Sequence, residues 1–468
     1  MRMTISYAKK FYHFWICMPQ IPEIVAPGGS HHKAIVAAKY WAEAVYLGVP
    51  FTSLRMRQNK IKTFDELQQS IDDIHVLGSK AYMTMNIFPR NQDIKIFESV
   101  VQQVAKLGAD GIIFSDPGTY RIIRKYMPDI PMHLSTQTST LNYESVQFRY
   151  DLGIRRVVLA RELSIEEIKE IKKHVPGMEL EVFVHGAMCM SYSGRCLLGD
   201  YMNGRPGNKG ECSHACRFKY KLRLEEERRP GKLFQLENDA DWSYILSSKD
   251  LCTIDRLAEI LPYVDALKIE WRSKSEFYVG AIVKAYKHVR DCILNWKKID
   301  PKIKNLVNVI PHRTYRDGFL FNKLEQFPEW EGDPSVVIAN RHCEERSDVA
   351  ISEQPFLRSL HSIRDDKDVP VTSTTLTSAW PLFNRNYFGV FTDQFVENEW
   401  KKYFQIEPKE VFTKGMKLKY FSPDTMWTLE ILDMLDSKKK PLDKATCNTW
   451  EIYVLVDAPL SGREILYE

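Results

Sequence analysis

The feature that most constrains the fold of this chain is an alternation. Short β-branched runs recur at Ile21 to Pro27, Ala44 to Val49, Ala81 to Phe88, Gly111 to Asp116, Met132 to Gln137, Arg156 to Glu162, Glu179 to Gly186 and Ala266 to Trp271. Between them lie stretches whose apolar residues recur every three or four positions, the period of a helix with one buried face. Strand and helix in strict alternation predict βα units around a parallel sheet, and eight strands are the number that closes a TIM-like (β/α)8 barrel. A doubly wound open sheet is the alternative. Helix starts are legible: Ser30 opens a segment through Trp41 to Ala44, Asp65-Glu66-Leu67 opens one reaching Leu77-Gly78, and Ser164 with Glu167 forms a capping-box pattern.

The barrel accounts for residues 21–296 of 468, so the chain must carry further parts. We expect an N-terminal extension at 1–20, a connector at 297–333, an inserted, disordered loop at 334–385 and a small C-terminal β-barrel-like domain at 386–468. Hydrophobic residues at 44% and charged residues at 27% exclude a disordered or collagenous chain. No apolar run reaches the roughly 18 residues of a membrane helix, so no membrane association is expected. A net charge of +4 permits an RNA or phosphate-bearing partner without requiring one. The apolar run Phe11 to Met18 is short, aromatic and without an A-x-A site, which reads as an extension, not a signal peptide.

The alternation breaks once, where about 80 residues separate the seventh and eighth strands. On a barrel that insertion, residues 187–252, lies at the C-terminal face, where active sites of this fold assemble. It holds five of the nine cysteines: Cys189, Cys196, Cys212, Cys216 and Cys252. An odd total in so large a chain argues against a disulfide scaffold and for a reducing, cytoplasmic setting in which thiols act as ligands. Only Cys212 and Cys216 approach zinc-ribbon spacing, so the looser spread leans toward an iron–sulfur cluster, with a structural zinc or free thiols as alternatives. Lys219 stands where a radical-SAM motif would need its third cysteine.

The stretch ELEVFVHGAMCMSYSGRCLLGDYMNGR, then GECSHACR, SSKDLC and ALKIEWRSKS, resembles the peptidase U32 family, the collagenase-like protease group. IPEIVAPGGS, YMTMNIFP, GIIFSDPG, HLSTQTSTLN and RRVVLARELSIEEI extend the resemblance over about residues 21 to 290. Within the family, the branch that hydroxylates RNA resembles this chain more than the branch that hydroxylates quinones. The resemblance implies a [4Fe–4S] cluster on Cys189, Cys196, Cys212 and Cys252, with Cys216 as spare. It also implies prephenate-dependent, O₂-independent hydroxylation of the tRNA wobble uridine to 5-hydroxyuridine, with rRNA as the alternative substrate. A U32 peptidase, or a cluster-bearing partner in a hydroxylase complex, are the competing functions.

A small carboxylate co-substrate would need cationic and polar groups at the barrel's open end. His133, Ser135 and Gln137 share one face of strand five, and Arg161 ends strand six. His185, Glu162, Asn86, Asp116 and Glu270 stand at other strand ends, so His133, Gln137, Arg161, His185 and Glu270 are the candidate catalytic residues. Trp271 occupies a place where the family has glycine, and its indole would narrow the mouth. The run Arg217 to Arg223 alternates basic and aromatic residues and could track an RNA backbone. No HExxH, G-x-S-x-G or papain-type cysteine neighbourhood supports peptide hydrolysis. The run VVIANRHCEERSDVAIS, inside 334–385, resembles a translated bacterial palindromic repeat, which makes His342 and Cys343 bystanders.

Overall fold

In a computed structural model the chain is described at residues 21–217, 223–225, 233–235, 248–270, 274–310 and 312–321, and C-terminally at 387–398, 401–408, 412–421, 426–436, 440–445, 452–456 and 465–467. Trp271, the segment 334–385, residues 1–20 and most of the basic–aromatic run lie outside the described residues.

Eight strands form the expected closed parallel barrel: β1 Glu23–Gly28, β2 Ala44–Gly48, β3 Lys80–Met85, β4 Gly111–Phe114, β5 Met132–Leu134, β6 Arg156–Val158, β7 Glu179–Ala187 and, after a further strand described below, β9 Ala266–Ile269. β1 pairs with β9 and β9 with β7, which closes the ring and rules out the open sheet. The strands are shorter than the apolar runs suggest. β5 stops at Leu134, β6 at Val158 and β9 at Ile269, and residues just past these ends, Ser135, Leu159 and Glu270, are buried at the mouth.

Helices alternate with the strands: α1 His31–Lys39, α2 Phe64–Val76, α3 Ile94–Val104, α4 Pro117–Tyr126, α5 Tyr143–Asp151 and α6 Ile165–His174. Ser30 caps α1 and the Ser164–Glu167 box caps α6, as the sequence suggests. The α2 box is Thr63 with Glu66, so that helix begins one residue earlier than expected. α1 ends at Lys39, short of Ala44, and Trp41 turns the chain with φ 66° into β2.

The lower barrel interior is ionic instead of layered with aliphatics. Arg156 Nη2 lies 2.8 Å from Glu23 Oε2, its Nη1 3.3 Å from Glu181 Oε2, and Lys268 pairs with the other Glu181 oxygen. All four side chains are buried. Such a network persists only when every charge has a partner, and here each does.

Beyond the barrel, β8 (Asp250–Cys252) runs antiparallel to the end of β7, pairing Cys252 with His185, and parallel to β10 (Tyr315–Arg316). The long α8 (Glu276–Leu294) follows β9. Leu306, Val307, Ile310 and Leu320 pack into the barrel's main core, so the segment expected to be a connector shares that core as far as Leu320. Six antiparallel strands form a second closed barrel, in the order β11 Tyr387–Asn398, β12 Lys401–Pro408, β15 Ile452–Val456, β14 Met426–Leu435, β13 Lys417–Phe421 and β16 Ile465–Tyr467. Its core includes Ile406, Leu418, Leu429, Ile431 and Val454. Among the described residues, no helix is long and apolar enough to cross a membrane.

Candidate active site

The insertion after β7 is fastened onto the mouth of the barrel. Ser139 Oγ donates to the Ser193 carbonyl at 2.8 Å, and Asn208 Nδ2 to the Gly194 carbonyl at 2.8 Å. Phe88 N–H donates to the Asn208 carbonyl at 3.1 Å, and Lys209 pairs with Asp93 at 3.1 Å. Two glycines permit the close approach. A Cβ on Gly194, at φ +80°, would lie 2.1 Å from the Gln137 carbonyl oxygen, and one on Gly210, at φ +87°, 2.8 Å from that of Ser53. A short helix, α7 (Leu198–Asn203), and a two-stranded hairpin, Arg223–Glu225 with Leu233–Gln235, also belong to the insertion.

Beneath this cover is a cavity of about 80 Å³ whose walls include Asn86, Ser135, Gln137, Arg161, Cys189 and Glu270. Glu270 is its electrostatic hinge. Arg161 Nη2 donates to one carboxylate oxygen at 2.8 Å and Arg55 Nη2 to the other at 3.1 Å. Burial works against charge on both guanidiniums, but Glu270 and the neighbouring Cys189 outweigh it, and both arginines are held more strongly protonated than usual. Arg161 also donates to Ser193 Oγ at 3.1 Å, lies 3.6 Å from Cys189 Sγ and stacks over Phe183 at 4.0 Å, while its buried Nε has no protein partner. Two cations thus share one anion, and the pocket keeps an excess of positive charge. Asn86 holds the wall, accepting from Leu54 N–H at 3.1 Å and donating to Ser135 Oγ at 3.2 Å.

Gln137, Arg161 and Glu270 meet here, but two sequence candidates do not. His133 points inward yet lies lower, in register with Arg156 and edge-on to Tyr82 at 4.6 Å. Burial, and then the positive charge of Arg156 and Lys268, pushes its pKa well below normal, so it is neutral. His185 is fully buried behind the mouth, with Nδ1 3.4 Å from Tyr286 Oη and Nε2 3.4 Å from Tyr315 Oη; burial takes its pKa down to about 3. Asp116 caps α4 by accepting from Thr119 N–H at 3.0 Å. Glu162 is pushed up by burial, and one of its oxygens has no partner. Arg55 was not singled out from the sequence. Its only signal is a position in the loop after β2, on the catalytic face of the barrel.

All five cysteines of the insertion are free thiols. Burial raises the Cys216 thiol pKa; Arg217 opposes this, and Cys189, Cys212 and Cys196 add to it. Cys252 lies beside other groups: Tyr286 Oη donates to its Sγ at 3.8 Å, and burial, with Asp255 and Asp317 contributing, pushes it up to about 11. Pairing with His185 across β7 and β8 accounts for this placement. Among the described residues no three Cys, His, Asp or Glu side chains converge as they would on a single metal ion. A donor set of thiols suits an iron–sulfur cluster, whose irons each take a separate thiolate.

Comparison with known proteins gives the family. The model of peptidase family U32 matches residues 29–328. The tRNA hydroxylation protein P of Escherichia coli strain K12 is 36% identical over 337 residues, 64% of this chain and 74% of that protein. The tRNA hydroxylation protein P of Helicobacter pylori strain 26695 is 37% identical over 303 residues, 64% of this chain and 72% of that protein. The 23S rRNA 5-hydroxycytidine C2501 synthase of Escherichia coli is 30% identical over 276 residues, 58% of this chain and 40% of that protein. With a matching family model over most of the barrel and these relatives, the chain belongs to peptidase family U32.

Proposed function

We propose that this protein hydroxylates RNA, with the wobble uridine of tRNA as substrate and 5-hydroxyuridine as product. The observation that carries the reading is the mouth itself: two half-buried arginines on one carboxylate, beside Cys189, at the catalytic end of a barrel similar in sequence to the RNA hydroxylation proteins named above.

The group proposed here is a [4Fe–4S] cluster, held by Cys189, Cys196, Cys212 and Cys252, with Cys216 as the alternative fourth ligand. When bound it would supply one-electron transfer. The remaining work falls to the chain. Arg55 and Arg161 bind and orient a small carboxylate co-substrate, for which prephenate is our candidate, by charge-assisted hydrogen bonds. Glu270 keeps both guanidiniums aimed into the cavity, and Gln137 and Ser135 offer neutral hydrogen-bonding groups at its wall. The insertion covers the mouth and limits water.

Peptide hydrolysis has less support. The side chain that meets Cys189 Sγ is Arg161, which cannot act as a general base for a thiol nucleophile.

Nucleoside mass spectrometry of tRNA from a strain lacking this protein tests the proposal. The expected result is loss of 5-hydroxyuridine derivatives, restored by the wild-type gene and not by a Cys189→Ser variant. Unchanged tRNA, together with a hydroxycytidine lost from rRNA, would move the substrate to the ribosome.

A further inference from the structure

A second and larger space opens beside the mouth, outside the strand ring. It measures about 500 Å³ and lies over β4 and β5, between α4, α5 and the Cys-bearing insertion. Its walls are aromatic: Phe114 and Tyr120 lie 5.5 Å apart at 38°, and Phe148 stands at the rim with 60% of its surface exposed. Arg149, whose guanidinium is 5.9 Å from the Phe148 ring, and the exposed Arg195 supply positive charge. Gln137 lines both this space and the mouth, and Gly194 rests directly on the Gln137 carbonyl. One residue therefore separates the two cavities.

From this arrangement we infer that the outer cavity is a nucleobase-stacking subsite, which holds a base of the RNA strand adjacent to the one that reacts at the mouth. The inference rests on the RNA reading above. Single-stranded RNA is gripped by aromatic faces that stack bases, with cations along the backbone, and stacking tolerates any base. A small diacid would pair with Arg149 and Arg195 but leave the aromatic walls uncovered, whereas a base covers them. Arg149 and Arg195 fit the phosphates that flank a stacked base.

The test measures binding of a fluorescein-labelled heptauridylate to the full-length protein by anisotropy. Phe148→Ala, at an exposed position that folding tolerates, should weaken binding roughly tenfold, and Phe148→Trp should keep it within about twofold of wild type. A matched oligomer with one abasic position should narrow the gap between wild type and Phe148→Ala. Arg195→Ala should lower the slope of log affinity against log salt by about one. Equal binding by wild type, Phe148→Ala and Phe148→Trp would overturn the subsite while leaving the hydroxylase reading intact. So would a Phe148→Ala protein that binds RNA normally but has lost affinity for prephenate, since the cavity would then belong to the acid. No binding of RNA by the wild-type protein would remove the hydroxylase reading and the subsite together.

Discussion

Arg161 is the residue on which the mouth turns, since it meets Glu270, Ser193, Cys189 and the face of Phe183 at once. Its truncation leaves Glu270 buried with one partner instead of two. Breaking a buried pair costs about 3–5 kcal/mol, and because Arg55 remains we expect Arg161→Ala to lose about 3 kcal/mol, read from the urea midpoint. Arg161→Lys should not restore modification, because a point charge cannot bridge a carboxylate and a serine hydroxyl in the way a planar fork does. Arg161 and Glu270 were legible because they stand at strand ends, where barrel chemistry gathers. His133 was legible only in part: alternation along β5 gives the face a residue points to, not its height along the barrel axis, and His133 lies one layer too low. Arg55 sits in a loop, where no periodicity marks which side chains turn inward.

At the scale of elements, the insertion and its contacts decide whether the cysteines assemble. Gly194→Ala would place a methyl group against the Gln137 carbonyl at a backbone angle that disfavours any side chain. Limited proteolysis should then cut within residues 188–217 while the barrel stays intact, and protein purified without air should lack the brown colour that the proposed cluster would give the wild type. The same colour separates the fourth ligands. Cys252→Ala should abolish it and Cys216→Ala should retain it; the reverse pattern would make Cys216 the fourth ligand. The eight barrel strands could be read from their apolar runs, yet β8 could not, since three residues carry no period.

The whole molecule should be sensitive to acid in two stages. His133 is buried as the neutral form, with its pKa well below 6.5. The unfolded chain therefore takes up a proton first, and stability present above pH 6.5 declines as the pH falls below it. Glu23 follows. Burial pushes its carboxyl up, but Arg156 and Lys80 outweigh that and hold it below 4.5, so its contribution is full above 4.5 and is lost as the pH drops through the lower folded value. Glu43, held down by Arg290 and Lys287 against the effect of burial, behaves alike. Thermal melts between pH 7.5 and 3.5 should show a shallow decline and then a steep one. His133→Gln should lessen the first stage, to which the buried His185 contributes in the same way, and leave the second.

The charged plug formed by Glu23, Arg156, Glu181 and Lys268 has a kinetic consequence. A chamber stopped at its base has a single doorway, so whatever seats itself deepest must arrive earliest and depart last. If a polynucleotide covers that doorway while the chemistry proceeds, the little acid underneath is locked in for the turnover. Steady-state rates should then follow compulsory-order kinetics, and surplus tRNA should slow the enzyme by sealing chambers that are still vacant.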